Sequence, residues 1–478
     1  MPHTPTPSPL SRQADASLTD QLSELFADRI RQRLLAGGAR LPSVRACAAR
    51  HEVSPSTVVA AYDRLLAQGL VEARPQRGFF VRTPPETAAL VQDPAMPHAA
   101  RPARIPLNAT TLLRGMLQPQ GARPMPGLGT LPVDWLDPQL LSQALKKVCT
   151  PAQQRQALEY GEPAGDLRLR QALSIRLQDH GVQAEPAQII TTVGATQALD
   201  IVTRTLTRPG DSVLVDEPGW SIEFARLSAL GLRLLPVPRR DDGPDLAVME
   251  QLIRSQPPEQ RPRLYVTVSV LHNPTGTSLS LPTAHRVLQL AQQHDFHIIE
   301  DDSYAHLAPA HLPRLSALDA LERTLYVSGF SKILTPGWRV GFIAAPKDWV
   351  DRLVDTKILT TLTTPSVMEQ ALAHCLEQGW LRRHAQRVVQ KLDQARARSV
   401  QLAERHGARF VSPPRGLFGW VDMGTDTERL AQRMLDEGWL LAPGALFHAS
   451  HRPTSLMRIN FATTQDARFW KTLARCIT

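Results

Sequence analysis

Six prolines stand at positions 84, 85, 94, 97, 102 and 106, in a stretch with few large apolar residues. Such a stretch cannot hold a long helix or a central strand, because each proline lacks an amide donor and fixes its own φ. It reads as a stiff, extended linker over residues 84–106, and the chain is expected to fold as two bodies. The smaller spans residues 18–83 and the larger residues 107–478, while the Pro/Ser/Thr-rich residues 1–17 read as a disordered tail.

Composition narrows the classes. A hydrophobic content of 42% and a charged content of 21% exclude a mostly disordered chain. No apolar run approaches the ~18 residues of a membrane-spanning helix, and the opening MPHTPTPSPLSRQ has no signal-peptide core. Cys47, Cys149, Cys375 and Cys476 lack CxxC spacing, which argues against a disulfide framework or zinc site. The expectation is a cytoplasmic protein with no membrane partner. The net charge of +9 permits nucleic-acid binding without establishing it. Its density is highest early, where the first 83 residues carry 11 arginines against 7 acids.

In the small body, Leu22, Leu25, Phe26, Ile30 and Leu34 recur at helical steps, with Arg29, Arg31 and Arg33 off that face. Gly37-Gly38 predicts the end of this helix. A second short helix is expected from Pro42-Ser43, carrying Val44, Cys47 and Ala48 inward, with a turn at His51-Glu52. In the third, Ser54 can cap the free amides and Pro55 sits at the first helical position, where it loses no hydrogen bond. Val58, Tyr62, Leu65 and Leu66 then face the core and Gly69 closes the helix. Leu70-Val71 and Phe79-Phe80-Val81 read as a hairpin around Arg74 to Gly78. Three small helices and a hairpin make a winged helix-turn-helix.

The words LPSVR (41–45), VSPSTVVAAYDRL (53–65) and GLVEARPQRGFFV (69–81) resemble the GntR-type DNA-binding domain. The resemblance implies double-stranded DNA as partner, with the third helix in the major groove and the wing toward the minor groove. By resemblance, Arg45, Ser54, Ser56, Thr57, Arg77 and Gly78 occupy the contacting positions. The chain departs from the usual pattern at Pro55 and Val59, where members carry arginine after the capping residue and, in some, again four residues later. Arginine is the commonest bidentate reader of guanine, so the base-reading chemistry of this helix is open.

The large body alternates short β-branched runs with amphipathic stretches, an α/β signature. Four words stand in order: TTVGATQALDIV at 191–202, HNPTG at 272–276, FHIIEDDSYAHL at 296–307 and YVSGFSKILTPGWRVGF at 326–342. Each alone is ordinary: a glycine before a helix, a turn after a strand, an acid at a strand end. Together they resemble the fold-type I aminotransferases that use pyridoxal 5′-phosphate (PLP). The resemblance implies that Lys332 forms an imine with the cofactor aldehyde and that Asp301 keeps the pyridine nitrogen protonated. Tyr304 and Asn273 would hydrogen-bond the ring oxygen. Arg339 and the backbone at Gly194, Ala195 and Thr196 would hold the phosphate, helped by Ser331. Members often have Ser or Thr where this chain has Gly329; Ser331 or Ser328 is the expected substitute.

By the same resemblance Trp220 stacks on the cofactor, Tyr160 reaches the phosphate of a partner subunit, and Arg458 pairs with a substrate carboxylate. His448 and His451 lack a further ligand motif, so no metal is expected. Gly127 and Gly129 in GLGTLP lack the third glycine of a dinucleotide fingerprint.

A GntR-type reader joined to an aminotransferase-like body resembles the MocR family of PLP-dependent transcriptional regulators. That implies a head-to-tail homodimer sensing PLP, an amino acid or an amine. The rival is a metabolic aminotransferase, moving an amino group between an amino acid and a 2-oxo acid, with an appended DNA-binding domain.

Overall fold

The computed structural model describes residues 16–31, 35, 38–74, 77–82, 125–150 and 158–477, in two compact units. The expected linker at 84–106, nearly all of the tail, and Arg33, Leu34 and Gly37 lie outside the described residues.

In the small unit, α1 (Leu18–Arg31), α2 (Val44–His51) and α3 (Pro55–Ala67) pack around Leu22, Phe26, Cys47, Val58, Tyr62 and Leu65. Ser43 caps α2 by accepting from the Ala46 amide, and Ser54 caps α3 by accepting from Thr57. Glu52 ends α2 in the left-handed region at φ 52°. Tyr62 is the keystone: its ring meets Phe26 edge-on at 5.7 Å and Phe79 at 5.0 Å, and its hydroxyl donates to the Pro42 carbonyl at 2.9 Å.

Strands β1 (Val71–Arg74) and β2 (Gly78–Val81) pair antiparallel, with Val71 opposite Val81. Arg40 adds a bridge to Phe80, a third strand position that the sequence did not signal. One expectation is corrected here. Arg29 is buried, not solvated off the apolar face, with its guanidinium 5.8 Å from the Phe26 ring centroid. The residues are three apart on one helix, so the long stem can lie along the aromatic neighbour.

The large unit is built on an eight-stranded sheet in the order β3-β10-β9-β8-β7-β4-β5-β6. Its strands are β3 (Ile189–Thr192), β4 (Ser212–Glu217), β5 (Arg233–Arg240), β6 (Gly243–Pro244), β7 (Pro262–Thr267), β8 (His297–Asp301), β9 (Thr324–Gly329) and β10 (Gly341–Ala344). Strands β5, β4, β7, β8 and β9 run parallel; β10 is antiparallel to both neighbours and β6 to β5. Strands β3, β9 and β10 are buried along their full length, as expected of a sheet covered on both faces.

A smaller antiparallel sheet follows, ordered β11 (Arg409–Phe410), β12 (Phe418–Asp422), β14 (Leu456–Asn460) and β13 (Ala442–Pro443). Among the described residues no helix is long and apolar enough to cross a membrane.

Candidate functional site

In open α/β sheets, ligands bind where the carboxyl ends of the parallel strands converge. Here that edge gathers the loop after β3, Asn273 beyond β7, Asp301 at the end of β8 and Lys332 beyond β9. Strand β14 of the small sheet brings Arg458 to the same group.

Asp301 is buried, and one carboxylate oxygen accepts from the Ser303 amide at 3.0 Å and hydroxyl at 2.5 Å. Burial pushes its carboxyl up to about 6, the Glu223 carboxylate adds to the rise, and the Ser303 bonds oppose it. A cavity of about 40 Å³ beside Asp301 is lined by Trp220, Glu223, His272 and Asp216, so the predicted stacking residue stands next to the predicted nitrogen partner.

Tyr304 is buried and hydrogen-bonded to Asn273. Burial holds its phenol well above the usual value. Asn273 Oδ1 in turn accepts from Arg458 Nη1 at 2.9 Å. Arg458 also donates from Nη2 to the Gly127 carbonyl at 2.6 Å and lies over the Phe418 and Phe447 rings at 4.4 and 5.0 Å. Its Nε is buried without a partner, and no carboxylate pairs with it among the described residues. Burial pushes the guanidinium down to about 10.

Lys332 donates from Nζ to the Gly129 carbonyl at 2.8 Å. Burial, with the Arg458 charge adding, pushes the amine down to about 8, while Asp301 opposes the shift. A fraction of neutral, nucleophilic amine is therefore present near neutral pH.

The loop after β3 carries the donor groups of an anion cradle. Gly194 caps the helix Ala195–Leu206 at φ 84° with no side-chain cap, which leaves first-turn amides for a ligand. Arg339 donates to the Val193 carbonyl at 2.8 Å, and a Cβ added at Gly194 would come within 2.7 Å of its guanidinium. Strand β10 lies directly on the loop, because a Cβ at Gly341 would come within 2.6 Å of the Gly194 carbonyl carbon. The donor set fits PLP: amides and guanidinium for a phosphate, a carboxyl for a pyridine nitrogen, a phenol and amide for a ring oxygen, and an amine for the aldehyde.

Ser328 is removed as a phosphate ligand. It is buried and donates to the Asp302 carbonyl at 2.8 Å, since its strand position points into the sheet packing. Ser331 is partly exposed and Thr196 is exposed. Tyr160 is 82% exposed and the described contacts do not bring it to its own chain's site. His448 lies 3.6 Å from the Glu217 carboxylate.

Three features were missed by residue-type reasoning: the strap at 127–130, the Asn460 side chain that holds it, and Glu223. Residues 127–130 form a strap whose successive carbonyls meet Arg458, Asn460, Lys332 and Asn460 again, the Asn460 contacts being 2.9 and 2.8 Å. Gly127 is required there, because a Cβ would come within 2.5 Å of the Leu441 backbone. The glycine pair was visible in the sequence; its carbonyl role was not. Glu223 beside Asp301 is the third.

In the small unit, Arg45, Ser54, Ser56, Arg77 and Gly78 are exposed and Thr57 half-buried. Gly78 has φ 99°, a conformation glycine adopts without strain. The Ser54 hydroxyl is engaged by the Thr57 amide and by the Ser56 and Thr57 hydroxyls at 2.7 and 2.8 Å.

A buried mixed sheet ending in this lysine-centred group defines an aminotransferase-like body, and a winged helix-turn-helix defines a DNA reader. The chain belongs to the aminotransferase class I and II family, matched over residues 129–475, and its residues 18–81 match the bacterial regulatory proteins of the gntR family. The "Uncharacterized HTH-type transcriptional regulator YisV" of Bacillus subtilis is 27% identical over 465 residues, covering 95% of each chain. The "Probable rhizopine catabolism regulatory protein MocR" of Rhizobium meliloti is 28% identical over 91% of this chain and 86% of that one.

The α-aminoadipate aminotransferase LysN of Thermus thermophilus, solved with N-(5′-phosphopyridoxyl)-L-leucine, superposes with a TM-score of 0.67 at 26% identity. It covers 73% of this chain and 91% of that one. The Bacillus subtilis and Rhizobium meliloti relatives both span the two units and are named as regulators. The protein is accordingly a DNA-binding transcriptional regulator of the MocR kind with an aminotransferase-like domain, and the metabolic reading is not favoured.

Proposed function

We propose that the large unit is the sensor of this regulator, with PLP held on Lys332 and an amino-acid or amine effector read against Arg458. PLP is the cofactor that the family fold and the donor set call for; its aldehyde supplies reversible covalent capture of amines. Asp301 holds a proton toward the pyridine nitrogen, Tyr304 and Asn273 orient the ring oxygen, and Arg339 with the Gly194–Thr196 backbone holds the phosphate.

The carrying observation is that, among the described residues, Lys332 and Arg458 have only backbone carbonyls of residues 127–130 as hydrogen-bonding counterparts, besides the Asn273 amide oxygen. A carboxylate is the better partner for a guanidinium, so an amino-acid effector displaces the Gly127 carbonyl. In sequence the strap precedes the strands and helices of the large sheet, on the side of the chain that leads back to the reader. Its displacement is the differential contact through which effector binding favours one arrangement presented to DNA.

Residues 84–106 act as the linker between a reader at 18–83 and a sensor at 107–478, in the cytoplasm. The exposed Tyr160 supports a homodimer, with the tyrosine completing the partner's phosphate site, and the family resemblance makes it head-to-tail. Arg45, Ser54, Ser56, Thr57, Arg77 and Gly78 contact DNA.

The test is binding of the purified protein to the DNA upstream of its own gene, repeated with PLP and a panel of amino acids and amines. Binding that responds to PLP together with one amine class is the expected result. Indifference to PLP and every amine sinks the sensor assignment.

A further inference from the structure

The first two turns of α3 present an outward face of unusual chemistry. Ser54, Pro55, Ser56, Val59 and Ala60 are exposed along it, opposite the buried Val58, Ala61 and Tyr62. No charged side chain appears until Asp63 and Arg64, and Arg64 is paired with Asp20 of α1. Val59, at 41%, is the one exposed large apolar residue among the described residues of the small unit. Valine gains nothing from that position locally, since its branched side chain is stiff and a middling helix former. The Ser54 hydroxyl is already occupied by the cap.

The donor inventory decides what this face can read. Guanine is read in the major groove by a guanidinium or ammonium on its O6 and N7, and neither group stands on these turns. Adenine is read by an Asn or Gln amide, also absent there. Thymine offers a C5 methyl, which takes an apolar contact. Arg45 and Arg77 are exposed on flanking elements, where they can hold phosphates and fix the helix in the groove without reading sequence.

We infer that α3 reads thymine methyl groups, with Pro55, Val59 and Ala60 packing against the C5 methyls of A·T pairs under its first two turns. The inference rests on α3 lying in the major groove, as the second helix of a helix-turn-helix does. Ser56 adds a hydroxyl that either donates to or accepts from a neighbouring base edge. The operator half-site is therefore expected to carry thymines, and no guanine requirement, where the amino end of α3 sits.

The experiment uses the full chain and a duplex recovered by selection from randomised DNA, with each thymine replaced in turn by deoxyuridine, which removes only the methyl. The expected result is two or more positions per half-site where deoxyuridine weakens binding about three- to fivefold, the scale of one buried methyl. In Val59→Ala, thymine and deoxyuridine become equivalent at one of those positions. In Val59→Arg, selection shifts that position toward guanine.

If deoxyuridine matches thymine everywhere, or wild-type selection recovers guanine under the helix, methyl reading is overturned. The underlying DNA-binding assignment survives that failure as long as salt-dependent binding to duplex persists. If Val59→Ala instead alters only the oligomeric state, with methyl effects intact, the valine belongs to a protein contact and its place in this proposal is lost.

Discussion

Arg458 and Asn273 are 185 residues apart in the chain and are joined by a 2.9 Å hydrogen bond, with Tyr304 bonded to the same asparagine. The bond ties the small sheet to the carboxyl edge of the large one. Any ligand that draws the guanidinium away from Asn273 and from the Gly127 carbonyl therefore acts on both the Asn273–Tyr304 pair and the strap.

Arg458→Gln should discriminate between effector classes. Amino acids with a free carboxylate should lose about 10- to 100-fold in affinity, the range of a charge-assisted bidentate pair, whereas amines lacking a carboxylate should change little. Titrating the PLP-loaded protein with matched pairs, an amino acid and its decarboxylated amine, reads this from the cofactor absorbance. Equal losses for both members would remove the carboxylate assignment.

Lys332→Ala should abolish the visible absorbance of lysine-bound cofactor; a variant retaining it removes the lysine assignment. In the wild type, the rate of PLP uptake should rise with pH through a midpoint near the amine's value of about 8, because the neutral amine is the nucleophile. The Arg458 charge lowers that value, so Arg458→Gln should move the midpoint upward. A downward shift contradicts the electrostatic argument.

Arg339→Ala should weaken PLP retention about tenfold or more through the lost guanidinium contact to phosphate. Gly194→Ala should have a similar effect for a different reason, since φ 84° strains an alanine and its Cβ would press on Arg339. Cofactor affinity measured by equilibrium dialysis checks both, and unchanged affinity in Arg339→Ala counts against the cradle.

The fully buried pair of Asp302 and Arg314, joined Oδ2 to Nε at 2.9 Å, is expected to anchor the strand end that carries Asp301. Asp302 also accepts from the Tyr326 hydroxyl at 2.9 Å. Removing one partner leaves an uncompensated buried charge, so Asp302→Ala should cost about 3–5 kcal/mol in urea unfolding of the large unit. A loss below about 1 kcal/mol, the size expected of a solvent-exposed pair, would contradict the burial.

DNA affinity should fall linearly on a log–log plot against salt. Arg45→Ala and Arg77→Ala should each reduce the slope by about one, with little change in sequence preference. A changed preference with an unchanged slope would move that arginine from phosphate to base.

Much of the small unit was legible because its stops and starts are local chemistry. Ser43 and Ser54 cap, Pro55 opens α3 and Gly78 takes the positive φ of the wing, all within a few residues of their effect. The burial of Arg29 against Phe26 was not legible, because an arginine stem packs as readily as it solvates and the code carries only its charge. Likewise the bridge from Arg40 to Phe80 depends on how the hairpin folds back.

In the large unit the sequence by itself determined the chemical inventory. Lys332, Asp301, Tyr304, Asn273 and Arg339 stand at or near strand ends, where short apolar runs stop, and Arg458 lies inside β14. Tertiary structure alone decided what those groups meet. The partners of Lys332 and Arg458 are the carbonyls of Gly129 and Gly127, 203 and 331 residues away. A carbonyl is common to every residue, so no side-chain pattern can announce it. Strand order and the packing of one sheet on the other select which carbonyl is used, and the same packing turned Ser328 inward and set Glu223 beside Asp301.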